Sequence, residues 1–516
     1  MEPTFRQSMN WLHTWAGVVI GGLLFAIFWM GTLAVFDKEI DRWMAPMTRL
    51  EMPAGQLSFD AQRSSLQEAG ESRAGTWNVF LPNARLPVVR AAWFGNKGIV
   101  SRYNNPANGA QLHDPGTLAG SGFLYPFHYH LHLRFLNLGM WLVGAASMAM
   151  LALCISGIVI HRKIFADFFT FRPERKARRA ILDLHNVVGV LGLPFHIVIT
   201  LSGVIIFFNL YFPAGWVSAY GGNLRAFNQD MYGSFSRPKA NKAGELASLD
   251  AMAVQVRRLW PEKSLASLTV YYPGDAAAYV QINTSTSDRV TGSGNTAIFD
   301  GQSGALLYQR AELPPVMTAY RFIFGLHVIQ FEHWTLRWLY FVLGLAGCTL
   351  IGTGYLFWLE SRRKRHAELG LSGVRVVEVL ATGGVSGIIV ATLSFFVVNR
   401  ILPLDLGGRA SAEVWTFYAV WVATFAHAWL RPGRKGWREQ SWAIAALAVL
   451  AVVLNAITTG DHLLRSLMHQ HLWPVAGMDL TLLAGAAIAV LAALKLADPR
   501  MQQTAKTLIE AETQRA

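Results

Sequence analysis

Residues 184–208 read LHNVVGVLGLPFHIVITLSGVIIFF. The run is long and apolar enough to cross a bilayer as one helix. It carries two histidines, His185 and His196. Eleven residues turn a helix by about 1100°, roughly 20° past three full turns. Both imidazoles therefore face one way, about 16 Å apart along the axis. Ionisable side chains in spanning helices face a protein interior rather than lipid. A column of two inward imidazoles fits two stacked metal centres, and haem iron takes such ligands.

Composition agrees with a membrane setting. The chain has 516 residues, 53% hydrophobic and 15% charged, with 18 Trp and 30 Phe; that balance is integral-membrane in kind. The net charge of +13 does not point to nucleic acid, because Lys and Arg concentrate in short loops between apolar runs, the positive-inside pattern. The two cysteines, Cys154 and Cys348, sit apart in apolar runs with no CxxC or CxxCH. Zinc ribbons, iron–sulfur clusters and covalently attached haem are thereby disfavoured. The first apolar run lacks an A-x-A-like cleavage site and reads as a retained helix.

The expected architecture is a mainly α, polytopic membrane protein. Eight segments are long enough to span: 11–36, 137–160, 183–210, 335–358, 375–398, 412–430, 441–459 and 476–496. Three loops are strongly basic: 162–179 with seven Lys/Arg, 362–365, and 431–438. If every segment crosses, all three fall on the cytoplasmic side with both termini. The domain reading is helix 1 over 1–36, an outer domain over 37–126 and helices 2 and 3 over 127–210. A second outer domain over 211–325, helix 4 over 326–365, a four-helix extension over 371–498 and a cytoplasmic tail over 499–516 complete it. Each outer loop reads as its own α+β unit. In the first, 58–69 is helical, followed by strand-like WNVFLP and VVRAAWFG. In the second, 249–259 is helical, followed by SLTVYY, AAYVQIN, TAIFD, the turn DGQSG and ALLYQR.

The helices repeat as well. His13 precedes Gly17 by four and Gly31 by eighteen; His185 precedes Gly189 by four and Gly203 by eighteen. Trp141 precedes Gly157 by sixteen, as Trp338 precedes Gly354. The late glycines follow hydroxyl residues in Ser156-Gly157, Ser202-Gly203 and Thr353-Gly354. The first half is thus two copies of helix, outer domain, helix. Small residues let a helix or a flat ring approach the backbone closely.

Of fifteen histidines, eight lie in or at the ends of the first four spans. His13, His161 and His185 fall at the cytoplasmic end, His128, His130, His132 and His327 at the outer end, and His196 between. Two imidazoles from different helices clamp a haem from both faces and give a six-coordinate electron-transfer centre. His128 and His132, at i and i+4, also have the spacing of a metal site, but no acidic residue nearby completes a zinc triad. His130, His333 and His366 read as interfacial polar residues, and His462, His469 and His471 carry little metal signal.

The runs FHYHLHLRFLNLGMWLVG, ISGIVIHRKIFADFFTFRP, LDLHNVVGVLGLPFHIVITLSG and GLHVIQFEHWTLRWLYFVLGLAGCTLIGTG resemble the PepSY-associated transmembrane (PepSY_TM) family over roughly residues 1–365. That family includes iron-regulated inner-membrane proteins and ferric-siderophore reductases. The resemblance implies PepSY-like folds for the two outer loops and b-type haem, two expected, on the helix histidines. By position it points to His13, His132, His161, His185, His196 and His327. The inner haem would use His13 and His185 with His161 as substitute. The outer would use His196 and His327 with His132 as substitute, and His128 as a further possible metal ligand.

The chain contains no GxGxxG after a strand, no Walker motif and no evident hydrolytic triad. Electrons would then come from quinol or a cytosolic flavin reductase. The functional expectation is a di-haem inner-membrane reductase that passes electrons to a periplasmic acceptor such as a ferric-siderophore. The rival is a non-redox transporter or assembly subunit whose outer domains bind a ligand and whose histidines relay protons or metal.

Overall fold

A computed structural model describes residues 4–497 of the chain, except 54, 56, 96–97, 162–176, 233–234, 311 and 370–372. Most of the basic loop 162–179 and the tail 499–516 lie outside the described residues. The helices, in chain order, are α1 (Phe5–Ala34), α2 (Asp37–Met44), α3 (Arg63–Glu71), α4 (Tyr125–His130), α5 (Leu138–Ile160) and α6 (Ala177–Ile206). Next come α7 (Phe208–Tyr211), α8 (Ala214–Tyr220), α9 (Leu224–Tyr232), α10 (Leu249–Leu259), α11 (Pro315–Val328) and α12 (Trp334–Glu368). The last are α13 (Gly373–Ala381), α14 (Gly387–Ile401), α15 (Arg409–Leu430), α16 (Arg434–Thr459), α17 (Leu463–Met468) and α18 (Trp473–Ala497). Seven strands are β1 (Thr76–Phe80), β2 (Val89–Gly95), β3 (Gly98–Asn104), β4 (Leu265–Tyr271), β5 (Tyr279–Thr284), β6 (Thr296–Asp300) and β7 (Leu306–Arg310).

Among the described residues, seven helical stretches are long and apolar enough to cross a membrane, not eight. The chain is a multi-pass membrane protein. The segment expected at 412–430 does form a helix, α15, but it falls short in hydropathy. It is built from Trp, Tyr, His and Thr as much as from aliphatic residues, and it buries an Arg409–Glu413 ion pair at 3.4 Å.

The chain divides into two compact units. The first comprises Met1–Ala45, Gly116–Thr200 and Tyr340–Ala516 and is helical. α1 starts from a capping box between Thr4 and Gln7, which satisfies orphan N–H groups at the helix start. It packs along α5 and α4, and Leu24, Phe25, Ile27 and Met30 join the core with Phe123, Phe127, Met150 and Cys348. The extension shares that core through Phe395, Phe396, Phe417 and Ala448. A π-helical turn, Thr382–Ser386, joins α13 to α14. Its glycines are steric necessities: a Cβ at Gly383 would lie 2.4 Å from the Phe425 ring, and one at Gly384 3.2 Å from Gly22 Cα. Polar groups tie the extension to the segments around α2. The Trp43 indole donates to Asp479 at 2.8 Å, Arg400 donates to the Met44 carbonyl, and Thr117 donates to Glu413.

The second unit comprises Pro46–Pro115 and Leu201–Leu339. Here the expectation of one α+β unit per outer loop needs correcting. The two loops build a single antiparallel sheet in the order β3-β2-β1-β4-β5-β6-β7. β1 of the first loop pairs with β4 of the second, Trp77 opposite Val270 and Val79 opposite Leu268. Each half-sheet would otherwise expose an edge strand, and joining the edges removes both. Trp77, Val79, Leu268, Val270, Val280, Ile282 and Phe299 form one apolar layer against Leu66 and Ala69 of α3 and Met252, Ala253 and Val256 of α10.

The two loops also exchange helix caps. Ser58 and Ser248 each accept from a backbone N–H of their own following turn, Ala61 and Ala251, both at 3.1 Å. Asp60 reaches across to accept from Ser248 Oγ at 2.6 Å and Leu249 N at 3.0 Å. Asp250 reciprocates with Ser58 Oγ at 2.5 Å and Phe59 N at 2.6 Å. The local sequences SFD and SLD thus cap each other.

Candidate functional site

α1 and α6 bring His13 and His185 together. Their ring centroids lie 6.4 Å apart with planes at 89°. Each ring is held through its Nδ1. His13 Nδ1 meets the Leu153 carbonyl at 3.1 Å and Ser156 Oγ at 3.0 Å on α5. His185 Nδ1 meets the Leu350 carbonyl at 3.0 Å and Thr353 Oγ1 at 3.2 Å on α12. These partners fix Nδ1 as the N–H side and leave Nε2 with its lone pair. Imidazole nitrogen binds a metal at about 2 Å, so two in-line bonds plus the two half-rings put the centroids roughly 6 Å apart. The observed spacing suits one iron between the two rings.

The repeat seen in the glycines is a repeat of this holder. Gly157 sits against His13, where a Cβ would be 3.4 Å from Cε1; Gly354 sits against His185 in the same way at 3.5 Å. Leu153 and Leu350 occupy matching places four residues before these glycines, and Ser156 and Thr353 matching places one residue before them. No group of three or more His, Cys, Asp or Glu that could hold a bare metal ion occurs among the described residues; the arrangement is a two-imidazole one.

The other expected residues fall in different places. His128, at the outer end of the first unit, has Nδ1 on the Ile27 carbonyl at 2.8 Å, and a Cβ at Gly31 would come 2.7 Å from its ring. In the second unit His327 repeats this: Nδ1 meets Ser202 Oγ at 3.0 Å and a Cβ at Gly203 would come 2.8 Å from Cε1. His128 and His327 are therefore counterparts in the repeat, each with one ring nitrogen fixed by the helix that carries the glycine.

His132 stacks on Phe123 at 4.8 Å and uses Nε2 on the Phe123 carbonyl at 2.9 Å. His161 caps α5, one turn beyond Gly157, and its N–H bonds the Gly157 carbonyl. His196 is wholly buried. Its ring nitrogens make no hydrogen bond of standard geometry, although the Leu343 carbonyl is close. The ring is wedged by its own helix and by α12: a Cβ at Gly192 would lie 2.4 Å from Cε1 and one at Gly347 3.3 Å from Nε2. The Phe28 ring meets it edge-on at 5.9 Å. Eleven residues after His13, the matching position is Leu24, so the first repeat has no histidine there. The structure thus brings His13 and His185 together, while His196 shares their column without an imidazole facing it.

Sequence reasoning placed His128 among the metal candidates but not among the preferred ligands. The eighteen-residue glycine spacing marked the outer level at Gly31; which of His128, His130 and His132 reaches it depends on the left-handed turn at Leu131 and His132, which has no glycine to announce it.

Comparison with known proteins gives two findings. The family model described as the PepSY-associated TM region matches residues 10–361. A Pseudomonas aeruginosa (strain PAO1) protein named "Uncharacterized protein PA4219" is 27% identical over 379 residues, covering 68% of this chain and 89% of that protein.

Proposed function

The chain belongs to the PepSY-associated transmembrane family, and we propose that it is a haem-bearing electron carrier of the bacterial inner membrane. The observation that carries the reading is the pair His13 and His185, 6.4 Å apart with both Nδ1 atoms already engaged. They would hold one b-type haem. His128 and His327, each within its own unit, would offer a further haem ligand. A bound haem supplies reversible one-electron chemistry. The protein's part is to hold the imidazoles in one tautomer, to keep glycine where a ring needs the backbone, and to exclude water. The basic run 362–365, which follows the fourth span, argues for a cytoplasmic N-terminus, so electrons would enter near His13 and His185, from quinol or a cytosolic flavin reductase.

The acceptor we propose is a periplasmic ferric-siderophore, handled by the seven-stranded unit in a PepSY-like role. Reduction to Fe(II) weakens binding by hard oxygen donors, so the iron is released without breaking a bond of the chelator. A reduced-minus-oxidised visible spectrum of the purified full-length protein tests the reading. A sharp α band with about two haems per chain supports it; a protein purified from haem-sufficient cells with no haem refutes it.

A further inference from the structure

Three of the four repeat-related histidines are held by a hydroxyl residue that directly precedes the close-approach glycine. Ser156-Gly157 holds His13, Thr353-Gly354 holds His185 and Ser202-Gly203 holds His327, with Nδ1 to hydroxyl distances of 3.0, 3.2 and 3.0 Å. The two at the His13–His185 level are oriented as acceptors. Ser156 gives its own proton to the Leu153 carbonyl at 3.1 Å, and Thr353 gives its proton to the Thr349 carbonyl at 2.7 Å. Their lone pairs are left for the imidazole N–H. The fourth glycine, Gly31, is preceded by Met30, a fully buried thioether, and His128 is held through the Ile27 carbonyl.

We infer that the Ser156 and Thr353 hydroxyls lower the reduction potential at the His13–His185 level. The inference rests on the haem reading above. An acceptor on Nδ1–H shifts charge toward Nε2 and makes the imidazole a stronger donor. A stronger donor favours Fe(III) and lowers the potential. At the His13–His185 level both ligands carry a carbonyl and a hydroxyl on Nδ1. Ser156 and Thr353 are positioning residues, acting through the ligands rather than on the iron.

The test is a redox titration of the purified full-length protein, each centre followed by its visible absorption, in Ser156→Ala, Thr353→Val and the double variant. Thr353→Ser is the control that keeps the hydroxyl. Expected for Ser156→Ala and Thr353→Val is an unchanged haem content and low-spin spectrum with an upward shift of one midpoint, larger in the double variant and absent in Thr353→Ser. Unchanged or lowered midpoints in the alanine and valine variants overturn the inference while leaving the haem reading intact. Loss of the centre in place of a shift overturns it too, since the hydroxyl would then be a structural support. A wild-type chain without haem removes the haem reading itself.

Discussion

The sharpest test of the His13–His185 pair is a comparison of His13→Ala, His185→Ala and the double variant. One iron between the rings needs both, because the centroids stand 6.4 Å apart and two bonds of about 2 Å plus the two half-rings fill that gap. The next imidazole along α6, His196, lies about 16 Å away along the axis, too far to substitute. Each single replacement should therefore remove or alter one and the same centre. Of about two haems per chain, each single variant keeps about one low-spin haem, and the double variant loses no more. Where a haem stays in the altered site, one coordination position is open and its iron turns high-spin. Haem per chain and spin state, read by absorption and electron paramagnetic resonance on protein matched for yield, decide it. If the double variant loses twice what either single variant loses, the two histidines serve different irons, and the geometry has been misread.

Other outcomes follow from particular contacts. Gly31→Ala puts a methyl 2.7 Å from the His128 ring, so it should disturb a centre at that level and spare the His13–His185 one, as separate α bands would show. Reporter fusions at residues 90 and 280 should fall on the same side of the membrane, because β1 and β4 are neighbours in one sheet; opposite signals would break the sheet. Asp479→Ala removes the acceptor of the buried Trp43 indole and should cost about 1–3 kcal/mol, seen as earlier melting in detergent; an unchanged melting curve would mean that this hydrogen bond adds nothing to the hold on the extension. The sheet unit should weaken in acid. Burial works against charge on Asp60, but hydrogen bonds from Ser248, Leu249, Asp250 and Arg63 outweigh it and hold its pKa below the usual range. Despite burial, Ser303 and Arg237 hold Asp300 down to about 2. A depressed carboxylate contributes stability that is full above its unfolded pKa of about 3.9 and is lost as pH falls through the folded value. Hydrogen exchange around α3 and α10 should therefore accelerate between roughly pH 4 and 2, and Asp60→Asn should flatten that dependence.

Much of the fold was legible because its periodicity is local. The α10 helix was expected at 249–259 and found there, and WNVFLP, VVRAAWFG, SLTVYY, AAYVQIN, TAIFD and ALLYQR each contain a strand. Alternation fixes which face of a strand is apolar, but it does not name the strand's neighbour. The β1–β4 pairing joins residues almost two hundred positions apart. Two half-sheets with open edges read the same in sequence as one closed run of seven. The exchange of caps between SFD and SLD was equally hidden, since each serine–aspartate pair looks sufficient for its own helix.

The site was legible where the repeat was exact and obscure where it was broken. His13 and His185 share the spacing to two glycines, and they are the pair that meets. His196 drew attention by sharing a helix face with His185, but a helix face is a direction and not an environment. Gly192, Gly347 and Phe28 close around its ring, and the first repeat fills the same place with Leu24. His128 and His327 recur in the two halves with the same glycine contact, whereas His196 has no counterpart, and that favours each of them over His196 as a ligand within its own unit. It also leaves His196 as the one buried imidazole in the column whose role is particular to the second repeat. Replacing it with its counterpart, His196→Leu, should leave haem content and spin state unchanged; loss of one low-spin centre would return His196 to the ligand set.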